Sequence, residues 1–269
     1  MQKIFYLLLA CMSLSVSIIA QDRYFAYTYT SNVLPKNAID IEWWHTSRMG
    51  HKGQYFHAQD RRMELEFGLG RQLQTSIYFN SYQTRSSDSS DGTSSKNEMG
   101  FSNEWKWKLS DPSLNKVGFC LYGEWGLKGG DEVELETKII FDKYIGNHLL
   151  AFNTVVEYEK EFEWVQNEVE SEEWESPIEF DFGYQYLTKK HIGIGFEVRN
   201  HNQVSKDFGW EHSVFFAGPM LNFRASKWFI IVNYLPQLGN VKKTTIAPKA
   251  MVLDEQEKTE FRIIAGISL

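Results

Sequence analysis

From about residue 38 to residue 269 the sequence alternates apolar with polar residues, and helical spacing is nearly absent. Successive side chains of a β-strand point to opposite faces, whereas an amphipathic helix repeats every 3.6 residues, so this period of two demands strands. Arg62 to Gly70 sets Met63, Leu65, Phe67 and Leu69 against Arg62, Glu64, Glu66 and Gly68. Phe101, Trp105, Trp107 and Leu109 oppose Ser102, Glu104, Lys106 and Lys108. Val133, Leu135, Ile139 and Phe141 oppose Glu134, Glu136, Lys138 and Asp142. Ile178, Phe180, Phe182 and Tyr184 oppose Glu179, Asp181, Gly183 and Gln185, and Ile192, Ile194, Phe196 and Val198 oppose Gly193, Gly195, Glu197 and Arg199. The pattern predicts about twelve strands, near 38–48, 60–70, 73–83, 99–110, 116–127, 132–143, 147–160, 174–187, 190–200, 212–224, 227–236 and 259–269.

Alternation alone fits a soluble β-sandwich or lipocalin-like barrel as well as a membrane barrel, because all three leave one apolar stripe per strand. Other features separate them. Most of the strands have the length that a tilted strand needs to cross a hydrocarbon core. Connections alternate between short ones, at 70–72, 111–113, 144–146, 188–189 and 225–226, and longer ones at 49–59, 84–98, 161–173, 201–211 and 237–258, with 128–131 the short exception. Aromatics make up 15% of the chain, and Trp43, Trp105, Tyr158, Trp174, Tyr184, Tyr186 and Trp228 fall toward strand ends, where a membrane-interface girdle would lie. These features predict an all-β chain: an antiparallel transmembrane β-barrel over 38–269, with short periplasmic turns and longer extracellular loops. Mean hydropathy is −0.40, and no apolar run after residue 20 approaches the length of a membrane helix.

The N-terminus carries a separate signal. Met1-Gln2-Lys3 is a short positive region, and Ile4 to Ala20 is apolar but for Ser and Cys, so residues 1–20 are expected to be a cleaved export signal. Leu8-Leu9-Ala10-Cys11 offers the rival of a lipidated Cys11, but little apolar sequence precedes it. After cleavage near Gln21 one cysteine remains, Cys120, and no intrachain disulfide can form. Residues 21–37 either plug the lumen, lie along the periplasmic rim or add a strand.

The terminal strand, with Phe261, Ile263, Ala265, Ile267 and Leu269 on one face, resembles the C-terminal signal of Gram-negative outer-membrane β-barrels. It departs from that pattern in ending on Leu269 rather than Phe or Trp. Tyr24-Phe25-Ala26-Tyr27-Thr28-Tyr29-Thr30, Leu34-Pro35-Lys36, Ile41-Glu42-Trp43-Trp44 and Arg62 to Tyr78 resemble uncharacterised barrels of porin or transporter type. The Ala20–Gln21 junction is similar to that of secreted proteins of Bacteroidota-type bacteria. The resemblance implies an outer-membrane location, contact with outer-membrane lipid and lipopolysaccharide, and recognition of the last strand by the barrel-assembly machinery.

With the apolar stripe toward lipid, the lumen would receive the polar stripe. Asp40, Glu42, Glu64, Glu66, Glu134, Glu136, Asp181 and Glu197 are the candidate acidic lining, with Arg62, Lys106, Lys138 and Arg199 as basic partners. Two outcomes follow: cross-strand ion pairs fill a narrow interior, or an acidic pore passes small solutes with a mild preference for cations. The channel is the leading expectation, and a plugged structural or surface-binding barrel without conductance is the alternative. A net charge of −7 argues against nucleic acid as a partner. An outer-membrane lipid-modifying enzyme ranks third, because His212-Ser213 lacks the spacing that aligns a nucleophile with its base. No cofactor or metal is implied: His51, His57 and Asp60 share a stretch that nothing fixes, and the run from Glu157 to Glu173 reads as a solvated acidic rim. Ser86 to Ser95 reads as a mobile outer loop, and Lys242, Lys243 and Lys249 as solvated surface.

Overall fold

The computed structural model describes residues 23–88, 92–165, 168–189, 191–245 and 247–269. The expected export signal at 1–20 lies outside the described residues. The strands are β1 (Ile39–His51), β2 (Gln54–Gly70), β3 (Leu73–Asp88), β4 (Gly92–Ser110), β5 (Gly118–Lys128), β6 (Glu132–Ile145), β7 (His148–Val165), β8 (Glu168–Glu175), β9 (Ile178–Leu187), β10 (Ile192–Ser205), β11 (Gly209–Arg224), β12 (Trp228–Asn240) and β13 (Thr259–Ser268). Each pairs antiparallel with its neighbours, and β13 returns to β1, from Asp40 opposite Ser268 to Met49 opposite Thr259. The sheet therefore closes on itself and has no free edge.

β8 and β9 are two halves of one stave. β7 pairs with β8 over Glu159–Val165 and with β9 over His148–Val156. Ser176 and Pro177 stand between them, where a proline, having no N–H for the ladder, is tolerated. The result is a closed antiparallel barrel of twelve staves.

The polarity of the wall is inverted relative to a soluble protein. Met63, Phe79, Trp105, Ile194 and Leu221 are about half exposed on the outer surface, while Glu42, Glu64, Glu66 and Glu104 have no exposure at all. Only a hydrocarbon surround makes such an outer belt favourable. Trp43, Trp105, Tyr186 and Trp228 ring the end that carries the chain termini, and Trp125, Tyr158 and Trp210 ring the distal end, all of them exposed. Tyr158 stacks on Trp174 across β7 and β8, 6.2 Å between ring centroids.

The distal connections differ from the expected long loops. Strands continue through most of 49–59, 84–98, 161–173 and 201–211, so that Met49 pairs with His57, Ser86 with Ser94 and Ser205 with Gly209. Above the membrane a hairpin needs backbone hydrogen bonds but no apolar stripe, and the 84–98 stretch is polar on both faces. The Ser-rich segment is thus strand on either side of 89–91, which lie outside the described residues. Among the described residues the long distal connection is 241–258, and 111–117 at the opposite end is longer than the short turn expected there.

Candidate functional site: the occupied lumen

Residues 23–34 run inside the barrel at the terminal end. Phe25, Ala26, Thr28, Thr30, Ser31 and Leu34 are all buried. The segment forms no strand, so its backbone polar groups need partners other than a ladder. Inward side chains supply them. Glu197 on β10 accepts the N–H groups of Ala26, Tyr27 and Thr28 at 3.1, 2.8 and 2.8 Å. Asn153 on β7 brackets Tyr29, accepting its N–H at 2.6 Å and donating to its carbonyl at 3.0 Å. Asp142 on β6 accepts the Ser31 N–H at 3.2 Å, and Gln74 on β3 the Leu34 N–H at 2.7 Å. Asn222 on β11 donates to the Tyr24 carbonyl at 2.9 Å and Arg262 on β13 to that of Ala26 at 3.1 Å.

Side chains of the segment complete the contact. The Arg23 Nε donates to Glu42 at 3.1 Å, its Nη2 stands 4.0 Å from Glu64, and its guanidinium lies 4.2 Å over the Tyr29 ring and 4.3 Å over that of Trp44. Arg262 stacks on Tyr27 at 3.6 Å, and Lys138 on Tyr29 at 4.2 Å. The wall is shaped to admit the segment. A Cβ on Gly183 would stand 2.8 Å from the Phe25 ring, one on Gly118 2.3 Å from Ser31 Oγ, and one on Gly68 1.9 Å from the Pro35 carbonyl oxygen. Gly193 and Gly195 instead clear space for Gln185 and the Tyr184 backbone within the wall itself.

Above the segment lies a vestibule of about 860 Å³, floored by Tyr27, Tyr29 and Trp44 and open at the distal end. Among its described lining residues fourteen carboxylates face seven Lys and Arg side chains. Ion pairs absorb part of the imbalance. Arg199 reaches Glu260 at 2.6 Å and also pairs with Glu179, Lys138 meets Glu136 at 2.9 Å, and Arg62 stands 3.8 Å from Glu124. In the 241–258 connection burial, with Glu260 opposite, pushes the Glu257 carboxyl well above its usual range.

The candidate residues fall into two tiers. Asp40, Glu42, Glu64, Glu66, Lys106 and Glu197 are buried at the level of the N-terminal segment. Arg62, Glu134, Glu136, Lys138, Asp181 and Arg199 line the vestibule. His51, His57 and Asp60 are not brought together: His51 stacks on Phe56, His57 bonds Ser47 at 2.8 Å, and Asp60 pairs with Arg48 at 3.0 Å. Of the acidic run, the side chains of Glu163, Glu168, Glu170 and Glu172 lie outside the described residues. Sequence reasoning did not find Arg23, Arg48 or Glu260, the first because its segment had no assigned place. The inward glycines opposite Tyr24–Ser31 are the signal that could have located it.

A closed twelve-stave barrel, apolar outside, charged inside and threaded by its own N-terminal segment, is a protein of the outer-membrane β-barrel class. The chain belongs to the family of unknown function DUF6662, whose model matches residues 17–269. No curated protein matches it. Among solved structures it resembles the COG4313 outer membrane channel from Pseudomonas putida F1, with a TM-score of 0.62 at 10% identity, covering 93% of this chain and 100% of that one. It also resembles the translocator domain of autotransporter NalP from Neisseria meningitidis, with a TM-score of 0.58, 7% identity and 86% and 87% of the two chains covered. The β domain of the Bordetella autotransporter Brka gives 0.57, 7%, 87% and 100%. At such identities the likeness is one of fold.

Proposed function

We propose that this chain is an outer-membrane channel for small solutes, held closed at rest by residues 23–34. The chain termini would lie in the periplasm and the vestibule would open outward. The observation that carries this reading is the bonding of residues 23–34 to side chains instead of a ladder. A segment fixed by side chains from β1, β3, β6, β7, β10, β11 and β13 fills the lumen without becoming part of the wall. It can leave without breaking the barrel. A channel with this architecture class, the COG4313 protein, adds weight. The excess of carboxylates in the vestibule favours cations, because a charged ring within a low-dielectric wall focuses the field. Outer-membrane lipid and lipopolysaccharide would meet the apolar belt, and the assembly machinery would read the outward face of β13.

The test is planar-bilayer recording of the full chain against a variant whose residues 23–34 are replaced by a Gly-Ser stretch of equal length. The full chain is expected to show rare openings and the variant long-lived, cation-preferring steps. If both are silent although folded, the channel reading fails and the alternative of a plugged barrel that works through its outer surface replaces it.

A further inference from the structure

β11 begins with an irregularity. Its pairing with β10 slips between Gln203 and Val204, so that Gln203 faces His212 while Val204 faces Trp210, and Glu211 is left as the extra residue. In a regular strand Glu211 and His212 would point to opposite faces. The bulge re-aims them, and both line the vestibule together with Glu255 of the 241–258 connection. One ligand atom from each of the three lies within 4.8 Å of the other two.

His212 points to what the cluster is for. Its side chain has 0% exposure, and neither ring nitrogen has a hydrogen-bond partner among the described residues. Nδ1 stands 3.2 Å from Glu255 Oε2, close but not aligned for a hydrogen bond. A buried imidazole left this way is costly, and an ion between it and the carboxylates would satisfy it. A metal held about 2.1 Å from each ligand sets tetrahedral ligand pairs roughly 3.4 Å apart; the His212 Nδ1–Glu255 Oε2 pair at 3.2 Å already fits, and a pair at the 4.8 Å limit closes by about 1.4 Å on binding. We propose that Glu211, His212 and Glu255 bind a divalent transition-metal ion of the Zn²⁺ type at the mouth of the vestibule.

The donor set fixes the class. One imidazole with two carboxylates suits Zn²⁺ and its first-row neighbours, whereas Ca²⁺ and Mg²⁺ take oxygen ligands throughout. Water from the vestibule fills the remaining positions. The neighbouring groups are otherwise engaged: His201 bonds Glu179 at 2.7 Å and Gln203 at 3.0 Å. A second carboxylate group, Glu132, Glu134 and Glu159, already holds the Lys128 ammonium 2.9 Å from Glu132. The bound ion would tie the 241–258 connection to β11, beside the point where the Thr244 hydroxyl donates to the Glu211 carbonyl at 2.6 Å.

The experiment uses the full chain, made without a histidine tag, folded in detergent and stripped with a chelator. Titration with Co²⁺ is expected to raise visible d–d absorption that saturates at one equivalent and is abolished by Zn²⁺. His212→Ala and Glu255→Gln are each expected to weaken binding on the order of tenfold or more. Glu255 is 46% exposed, so its variant folds even if His212→Ala does not. Absence of saturable absorption at sub-millimolar Co²⁺, or undiminished binding by Glu255→Gln, overturns the site. The readout does not involve conductance and is independent of the channel reading.

Discussion

If residues 23–34 close the channel as proposed, Glu197 is the residue on which that closure should rest most heavily. Its carboxylate accepts three consecutive N–H groups, those of Ala26, Tyr27 and Thr28, at 3.1, 2.8 and 2.8 Å. Replacing it with Ala leaves all three N–H groups without their acceptor at once. An ordinary hydrogen bond contributes a net of about 0.5–1.5 kcal/mol, and one to a charged group about 1.5–3 kcal/mol. Water entering the lumen from the vestibule will rehydrate part of what is lost, so the lower range governs most of the sum. The closed state should lose about 3 kcal/mol relative to the open one. At tenfold per 1.4 kcal/mol, the ratio of open to closed channels rises about a hundredfold.

The assay is open probability in single-channel records, with barrel folding checked by circular dichroism. Glu197→Gln gives a second point on the same scale. It keeps one acceptor oxygen and loses the charge, so an increase of about tenfold is expected. The order wild type, Gln, Ala is what the hydrogen-bond geometry requires. If the Ala variant folds and its open-to-closed ratio stays within about threefold of wild type, the bonds to Glu197 do not hold the segment.

Arg23→Ala leaves Glu42 and Glu64 without their buried guanidinium, which should destabilise closure by about 3 kcal/mol; more frequent openings with stronger cation preference in the reversal potential are expected. Gly183→Leu drives side-chain atoms into the Phe25 ring, so residues 23–30 should exchange amide hydrogens faster, on the order of tenfold or more, while β9 and β10 stay protected. Glu136→Gln removes a vestibule carboxylate and should move the reversal potential toward zero without changing how often the channel opens. At the other end, the Lys108 ammonium at 2.8 Å and the Ser113 N–H at 2.9 Å hold the Asp111 carboxyl below its usual range. A depressed folded value means that its contribution to the 111–117 connection is complete above about pH 4 and is lost as pH falls through the folded value. Hydrogen exchange there should quicken in that window, and not in Asp111→Asn.

The staves and the inward carboxylates were legible because lipid imposes the rule that writes them. A residue such as Phe67 beside Glu66 and Gly68 declares its face by position alone, and one end of each stave follows from a turn. That rule stops where the membrane stops. Ser86 and Ser94 pair across a hairpin that no alternation announces, so the sequence there read as loop. The place of residues 23–34 was illegible for another reason. Ala26 and Glu197 are 171 residues apart and meet as backbone donor and side-chain acceptor, a contact that leaves no spacing and no residue-type signature at the donor. Glu211 and His212 needed a bulge that depends on how β10 and β11 slip past each other, and a single strand does not record its partner's register.

On the proposed channel reading, the two tiers of lumen charge would make closure and selectivity depend on the same residues. Carboxylates in the vestibule stand where the lumen opens to water, and several of them, Glu124, Glu136, Glu179 and Glu260, have a Lys or Arg partner in the wall. Those beside the N-terminal segment are cut off from solvent, where an ionised group persists only with compensation. Glu197 finds it in three N–H groups, and Glu42 in the Arg23 guanidinium. The segment is therefore held by the very charges that would line the narrowest part of the pore. Once it leaves, Glu42, Glu64 and Glu197 lose its donors and face water that must bring cations with it. Neutralising them would weaken closure and cation preference together, whereas neutralising Glu136 above would touch preference alone. That separation by depth is what an accidental packing of an inert barrel interior would not produce.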